Sequence, residues 1–513
     1  MRGIYVIPPG RVAHSNSRGN RCSKRKAVVC VSVMFLVLSI CLASAGVIAQ
    51  DFDRERNLAA SLASLDPGPR KGPNPLLSGN PGNPFATLTT QQNNFFNNGK
   101  TQFNEVEPVN LSAGPGNGGL GPTFNSNSCG SCHSQPATGG TSPSANAFPF
   151  VGNNPQATVG QGFTVNGQTI VFQNPIPLPF INADGPVREV RFKSDSGVHD
   201  LFTIAGDTAD APGCMLAQPD FAAEAARGNL SFRIPTPVFG AGLMENISED
   251  TLAANLGTAP PSAPSSDSLG IHGTFNRSGN DGSITRFGWK AQNKSLLMFA
   301  GEAYNVEMGI TNELFPDERG YPPNPIPTAC LVNPTPEDRT IFEFMPTSTD
   351  LSGVLSDVAS FANFMRFLDQ PAPACGTGTG IDCTQAAKGN LVFMKIGCAN
   401  CHTPSLTTTT SDFAPALSGV QANLFSDLAL HHMGIRLADG ITQGNAGPDQ
   451  FRTSPLWGLG QRVFFLHDGR TSNMVQAILD HESFGSESNR VVENFEALSL
   501  TDKTNLIVFL RSL

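Results

Sequence analysis

The chain has 513 residues and a formal net charge of −9; charged residues make up only 15% of it, while it contains 52 glycines and 40 prolines. The length suits more than one domain, and the glycine and proline content predicts long ordered loops between helices. The acidic balance argues against a nucleic-acid-binding protein. It allows a basic electron-transfer partner, although a solvated acidic surface explains it as well.

The N-terminus has the pattern of a secretion signal. Residues 1–26 carry seven basic residues and no acidic one, and an apolar run follows from Ala27 to Ala49. We therefore expect residues 1–49 to be a signal peptide and the protein to be periplasmic or otherwise extracytoplasmic. Its cleavage would change the formal net charge from −9 to −16. The alternative is an uncleaved leader that associates with the membrane, because the run is just long enough to span it.

Two copies of one motif carry most of the chemical information: Cys129-Gly130-Ser131-Cys132-His133 and Cys398-Ala399-Asn400-Cys401-His402. Cys-x-x-Cys-His is the attachment motif of c-type haem, in which both thiols bond to the porphyrin and the histidine binds the iron. A redox Cys-x-x-Cys or half of a zinc site is the alternative, but zinc needs further ligands nearby and none follows either motif. We expect two covalently attached haem c groups, held by Cys129, Cys132, Cys398 and Cys401 with His133 and His402 on the irons.

The other cysteines indicate disulfide bonds. Three lie in the leader, which leaves Cys214, Cys330, Cys375 and Cys383 outside the two motifs. An even remainder in an oxidising compartment suggests two disulfides, and Cys375–Cys383 is the natural local pair.

The two halves of the chain repeat each other. Gly99-x-x-x-Phe103 precedes the first motif, and Gly389-x-x-x-Phe393 precedes the second. Further on, the segment 237–242 (PVFGAG) matches the segment 455–460 (PLWGLG). Repeated features in the same order imply a tandem duplication. In each copy we expect a helix whose glycine lets another helix cross closely and whose phenylalanine packs beside the porphyrin.

Each half is predicted to close with a helix. Residues 353–369 place apolar side chains at helical spacing before Pro371, and Ser499-x-x-Asp502 resembles a capping box ahead of the C-terminal helix. In the first half, two β-rich runs flank Asn166-Gly167, a hairpin signal.

These patterns predict a mainly α protein with two tandem cytochrome c-like domains, long loops and a small β-rich insertion in the first domain. In chain order, the expected divisions are a signal peptide 1–49, a flexible lead-in 50–85, an N-terminal haem domain 86–372 with the insertion at about 140–230, and a C-terminal cytochrome c-like domain 373–513.

The chain resembles the bacterial diheme oxidoreductases of peroxidase type, within the superfamily of diheme cytochrome c peroxidases and the methylamine-utilisation diheme enzyme. The resemblance covers roughly residues 90–513. Besides the motifs above, it is carried by several short segments: Phe124-Asn125, 232–242, 286–292 (RFGWKAQ), 307–309 (EMG), 425–434, 451–453 and 466–470 (LHDGR).

This resemblance implies that the first iron, on His133, reacts with peroxide and that Glu307 of the Glu-Met-Gly segment is the distal acid–base, with Glu302 as the fallback. The sequence departs from many diheme peroxidases because no histidine lies between His133 and His199. That departure implies a first haem without a histidine cap. Met308 as a sixth ligand is the alternative, and it would make this haem a plain electron carrier.

For the second haem, the resemblance implies a distal ligand 14 residues after His467, which is His481. Met433 is the next candidate. Trp289 falls in the segment that supplies the inter-haem tryptophan, but it is displaced by two residues and Phe287 takes the aligned place. The superfamily's calcium ligands are replaced by Arg462 and Phe464, so no calcium is expected.

The resulting expectation is an exported diheme c-type peroxidase. It would reduce hydrogen peroxide, or another small oxidant, at the N-terminal haem with electrons delivered through the C-terminal haem by a small cytochrome or cupredoxin. The alternatives are an electron-transfer cytochrome without catalysis and an oxidase of an organic or protein substrate.

Overall fold

The computed structural model describes most of the chain after the leader. It covers residues 53–70, 81–107, 119–143, 163–165, 168–172, 180–205, 211–320, 326–331, 335–340, 354–411 and 414–513, together with the single positions 154, 156, 178 and 333. The predicted signal peptide and the Asn166-Gly167 turn lie outside these residues. Residues Ala59–Leu513 form one compact unit, which contains both motifs. Within the described part of the chain, no helix is both long enough and apolar enough to cross a membrane.

Helices form the frame of this unit. In chain order they are α1 Thr90–Phe103, α2 Cys129–Cys132, α3 Phe221–Ala226, α4 Ala241–Glu245, α5 Glu249–Asn255, α6 Ser266–Leu269, α7 Leu296–Met308, α8 Asp357–Phe367, α9 Cys383–Ile396, α10 Gly434–Leu437, α11 Met474–Leu479, α12 Asn489–Glu496 and α13 Leu500–Ser512. Most are short, and long irregular segments connect them. This agrees with the high glycine and proline content.

The strands form four small antiparallel sheets. They are β1 Thr123–Phe124, β2 Phe163–Val165, β3 Gln168–Phe172, β4 Glu189–Phe192, β5 Phe202–Ala205, β6 Leu230–Arg233, β7 Leu406–Thr407, β8 Gln421–Ala422, β9 Leu430–His432 and β10 Gln450–Arg452. One sheet has the order β1-β5-β3-β2, and the others pair β4 with β6, β7 with β8 and β9 with β10. The chain is therefore mainly α with only small sheets. The pairing of Phe163 with Ile170 is that of a hairpin, as the flanking runs predicted.

The helix pair α1 and α8 recurs as the pair α9 and α13. A Cβ on Gly99 would overlap the carbonyl oxygen of Ser360 and crowd Phe364, and one on Gly389 would overlap that of Asn505 and crowd Phe509. In both places glycine is what lets the helix backbones approach. The two predicted closing helices begin at serine caps, Ser356 and Ser499, whose side chains accept backbone N–H bonds.

The closing helix α8 is shorter than its predicted span of 353–369, because its first turn is capped at Ser356 and Leu368 is already extended. The main core includes residues from both halves, among them Phe364 and Trp457. Because this core is shared, it does not mark a division between two domains, and the boundary at 372/373 stays a prediction.

The two disulfides are Cys375–Cys383, as predicted, and Cys214–Cys330. Part of the segment predicted as a flexible lead-in contacts the C-terminal part of the chain. Asp66 forms an ion pair with Arg511 at 2.7 Å, and the amide of Arg70 donates to the carbonyl of Gly460. The Arg511 side chain is almost fully buried, so its charge needs a partner from another segment.

Candidate functional site

Two internal cavities contain the two Cys-x-x-Cys-His motifs. The first cavity, of about 140 Å³, is lined by Cys129, Cys132 and His133. The amide of His133 donates to Cys129 at the end of the single-turn α2, and its Nδ1 lies 3.0 Å from the carbonyl oxygen of Gly140. Burial lowers the pKa of His133 to about 4, so the imidazole is neutral. With Nδ1–H donating to a backbone oxygen, Nε2 carries the lone pair of the neutral ring and is the nitrogen that can bind a metal.

Glu307 lies in the wall of the first cavity, at the last turn of α7. Its Oε2 accepts a hydrogen bond from Asn125 Nδ2 at 2.9 Å, and its backbone oxygen accepts one from the amide of Asn125. Burial, and next the charge of Glu189, raise the pKa of Glu307 to about 8. Met308 also lines this cavity, with Sδ 3.7 Å from Cys129 Sγ. Glu302 is not among the lining residues and bonds to Asn293.

The first cavity also contains polar side chains that the sequence motifs did not predict. Gln292 lines it, and its buried Oε1 has no hydrogen-bond partner within the described structure. Three arginines line it too: Arg188, Arg191 and Arg233. Two of them already pair with carboxylates, Arg191 with Glu189 and Arg233 with Asp439. Arg188 donates to the carbonyl oxygen of Asp468 and is the one that suits an anionic occupant. The only sequence feature that could have pointed to Gln292 is its place in the segment 286–292, which carries the family resemblance.

The second cavity, of about 240 Å³, is lined by Cys398, Cys401, His402 and His481. The Nδ1 atom of His402 lies 2.9 Å from the carbonyl oxygen of Phe425, and that of His481 lies 2.7 Å from that of Ala477. Burial lowers the pKa of both histidines, that of His402 to about 4. The cavity therefore contains two neutral imidazoles, each with Nδ1 held by the backbone and Nε2 free.

The remaining histidines near the second cavity are bound by other groups. His431 is held between Asp427 at 2.9 Å and Glu487 at 2.8 Å. His467 stacks on Phe451 with a ring-centroid distance of 4.3 Å. Met433, the second candidate ligand, also lines the cavity. Compared with His431 and His467, His481 is therefore the better candidate for an iron ligand in the second cavity.

Trp289 is the one described residue that lines both cavities. It sits in a tight turn closed by the bridge between Phe287 and Asn293, with left-handed backbone at Gly288 and Ala291. Its Nε1–H donates to the carbonyl oxygen of Ile234 at 2.8 Å. Phe287, at the base of this turn, lines neither cavity and packs against Phe299 instead.

The residues present fit a haem in each cavity. The four motif cysteines are free thiols, whereas the other four described cysteines form disulfides. In the second cavity Arg452 and Arg462 are only 4% and 8% exposed, and no described carboxylate forms an ion pair with either. Haem propionates would provide the missing anions. Within the described residues, no group of three or more His, Cys, Asp or Glu side chains could hold a metal ion.

One of the comparisons with known proteins identifies a family. Residues 223–513, more than half of the chain, match the family described as "Di-haem oxidoreductase, putative peroxidase". No curated protein matches the chain. A solved structure of hydrazine synthase from Kuenenia stuttgartiensis, pressurised with 20 bar xenon, matches 52% of this chain and 88% of its own at 13% identity with a TM-score of 0.20. A similarity this low supports no statement about fold or activity.

The family match includes the second Cys-x-x-Cys-His motif, both distal candidates Glu307 and His481, and the turn that carries Trp289. The match begins after the first motif, so it does not cover that motif. The evidence for the first site is its motif and the helix pair that repeats in the two halves. The chain belongs to the di-haem oxidoreductase family, which implies two haems.

Proposed function

We propose that this protein is an exported diheme c-type peroxidase built from two tandem cytochrome c-like domains. In this proposal the haems are attached through Cys129 and Cys132 in the first domain and through Cys398 and Cys401 in the second. Electrons enter at the second haem and reduce hydrogen peroxide at the first. The observation that carries the proposal is that two cavities, each with a Cys-x-x-Cys-His motif, share Trp289 in their walls.

The contents of the cavities support different roles for them. The second cavity offers a free Nε2 on both His402 and His481, which suits a six-coordinate electron carrier. The walls of the first contain one such histidine, His133, together with the carboxyl of Glu307, and no second described imidazole. When bound, the first haem would supply an iron that exchanges electrons with peroxide.

Glu307 is suited to proton transfer in the first cavity. Peroxide cleavage to water requires a proton to move from the inner to the outer oxygen. Because burial keeps the pKa of Glu307 near 8, its carboxyl can take and return a proton close to neutral pH. The amide of Asn125 fixes Oε2, which leaves Oε1 for the substrate.

The backbone between the cavities supports the proposed route of electron transfer. His467 lines the second cavity, and its carbonyl oxygen accepts from the amide of Ile234 at 2.7 Å. Ile234 lines the first cavity and accepts from Trp289 Nε1. The indole and the imidazole of His467 meet edge to face at 6.4 Å. This arrangement offers a route of hydrogen-bonded and packed groups between the two sites.

A diheme electron carrier is the second candidate, because Met308 lines the first cavity and thioether sulfur is a haem ligand. However, the Met308 sulfur contacts Cys129 Sγ. A thioether cysteine marks the edge of a porphyrin and not its centre, so this position favours packing over ligation. Export is supported by the leader pattern and by the two disulfides.

The test combines mass spectrometry with kinetics, on protein purified from a host that attaches haem c. Denaturing mass spectrometry should show two haems on the chain, and Cys132→Ala or Cys401→Ala should each lose one. The half-reduced protein, mixed with hydrogen peroxide, should then oxidise its second haem. Two haems that stay low-spin and inert to peroxide in the half-reduced state would establish the electron carrier instead.

A further inference from the structure

A tyrosine lies in the wall of the first cavity. Tyr304 is on α7, one turn before Glu307, and is 2% exposed. Its ring meets Phe361 edge to face at 5.0 Å, and Phe361 meets Phe103, which in turn packs against the ring of His133 at 5.7 Å. The phenol is thus part of the aromatic layer that surrounds the predicted proximal histidine.

The hydroxyl of Tyr304 contacts the buried carboxyl group of Glu107 and the half-buried one of Asp357. Its oxygen lies 3.2 Å from Glu107 Oε1 and 3.1 Å from Asp357 Oδ2. These groups come from different parts of the chain, since Glu107 follows α1 and Asp357 begins α8. Neither carboxyl lines the first cavity, whereas Tyr304 does. The ring therefore borders the cavity and the hydroxyl faces a separate pair of acids.

The protonation states suit proton transfer from the hydroxyl. Burial raises the pKa of Glu107 to about 8 and that of Asp357 to about 7, and it raises that of Tyr304 well above its ordinary value. At neutral pH the phenol is protonated, while Asp357 is ionised in a large share of molecules. A phenol that loses an electron becomes a strong acid. Its oxidation is therefore favoured where a carboxylate already accepts its hydrogen bond.

We propose that Tyr304 is a one-electron relay site of the first cavity that is oxidised to a neutral phenoxyl radical. Its electron leaves toward the cavity, and its proton passes to Asp357. This inference rests on the proposed function, which names hydrogen peroxide as the oxidant. Peroxide takes two electrons and two protons to become two waters. Tyr304 supplies one of the electrons, its O–H bond breaks, and a carboxyl O–H bond forms.

The radical is then reduced from the second cavity. One electron arriving through Trp289 restores the phenolate charge, and the proton returns from the carboxyl, so the tyrosine ends unchanged. The relay would let the first cavity hold one oxidising equivalent on protein until the second electron arrives. A purely structural alternative exists, in which the hydroxyl only joins α7 to the start of α8.

The experiment is freeze-quench paramagnetic resonance on the two-haem protein. The oxidised full chain is mixed with hydrogen peroxide or, separately, with a peracid, and frozen at successive times. We expect an organic radical with both oxidants, whose spectrum narrows in protein made with ring-deuterated tyrosine. The deuterated protein has the natural sequence, so this readout does not depend on the folding of a variant.

Variants assign the radical to one residue. Apart from Tyr5 in the leader, the sequence has only Tyr304 and Tyr321. Tyr304→Phe should abolish the signal, the matched control Tyr321→Phe should retain it, and Asp357→Asn should lower its yield. A structural tyrosine would change thermal stability in Tyr304→Phe without any radical in the parent protein.

The outcomes separate the two proposals. A radical with the peracid but no spectral response to peroxide would support Tyr304 and overturn the peroxidase function. A haem that reacts with peroxide without any tyrosine radical, a signal that deuteration leaves unchanged, or one that survives in Tyr304→Phe would overturn the relay while leaving the peroxidase intact. No radical with either oxidant overturns the relay as well.

Discussion

The indole ring of Trp457 lies directly against Gly240, in the space that a Cβ would occupy. The equivalent glycine of the other half, Gly458, lies against the ring of Phe239. Each half therefore places the aromatic residue of its repeated segment on the glycine of the other. This reciprocity is a direct consequence of the repeat seen in the sequence.

Gly240→Ala should destabilise the protein through two separable effects. Gly240 has a φ of +62°, so any L side chain is strained there; the left-handed region costs about 1–2 kcal/mol. Overlap with the Trp457 ring should add about 1–3 kcal/mol. The matched control is Gly257→Ala, because Gly257 has a φ of +72° with no heavy atom near its would-be Cβ. Urea unfolding of both variants measures the difference, and equal losses would contradict the packing argument.

Trp289→Phe should slow electron transfer between the haems without changing either attachment. Phenylalanine keeps an aromatic ring but loses the Nε1–H bond to Ile234 and part of the surface that borders both cavities. Stopped-flow oxidation of the second haem by peroxide measures the rate. The control is Trp457→Phe, which changes the other tryptophan, one that lines neither cavity. An unchanged rate in Trp289→Phe with its haems intact would exclude the indole from the route.

His481→Met should keep the second haem six-coordinate and raise its potential, because a thioether favours reduced iron. His481→Ala should leave that iron high-spin. Visible spectra and a redox titration measure both changes. His432→Ala is the control, since His432 is half-exposed and pairs with Asp449 at 2.9 Å. If neither His481 variant alters the spectrum of the second haem, Met433 is the next ligand to test.

Glu307→Gln should slow the reaction with peroxide by ~10²–10⁴-fold, the usual contribution of a general acid–base. The pH dependence has a defined sign. Because the pKa of Glu307 is raised to about 8, its carboxyl is protonated below that pH and cannot take the peroxide proton. The rate should rise with pH and level off above about 8, and Glu307→Gln should remove the inflection. Glu302→Gln, on the same helix but outside the cavity, should behave as the parent protein does.

The local patterns were enough to predict several parts of this structure. Gly99 and Gly389 each predicted a close helix crossing, because only a missing Cβ allows it and the spacing to the phenylalanine was the same. Cys375–Cys383 was predictable from its short sequence separation. These features depend on neighbouring residues, which a sequence records directly.

The parts that escaped prediction depend on how distant segments meet. Trp289 and Phe287 were both candidates for the place between the two sites. The structure puts Trp289 in the wall of both cavities and Phe287 in the wall of neither, in a turn with left-handed backbone at Gly288. Tyr304 joins Glu107 and Asp357, which are 197 and 53 residues away in sequence. No spacing rule connects such residues, because only the packing of α7 against α8 brings them together.

The eight described cysteines must reach two different redox states in one chain. Four form disulfides, and four are thiols in pairs three residues apart. Closing a short loop costs less entropy than closing the loop of 116 residues between Cys214 and Cys330. An oxidant would therefore seal the motif thiols before it joined that distant pair. On the proposed function, each motif has to meet its porphyrin before the oxidant acts, and a host with strong thiol oxidation but slow cofactor delivery would accumulate a dead-end, colourless chain.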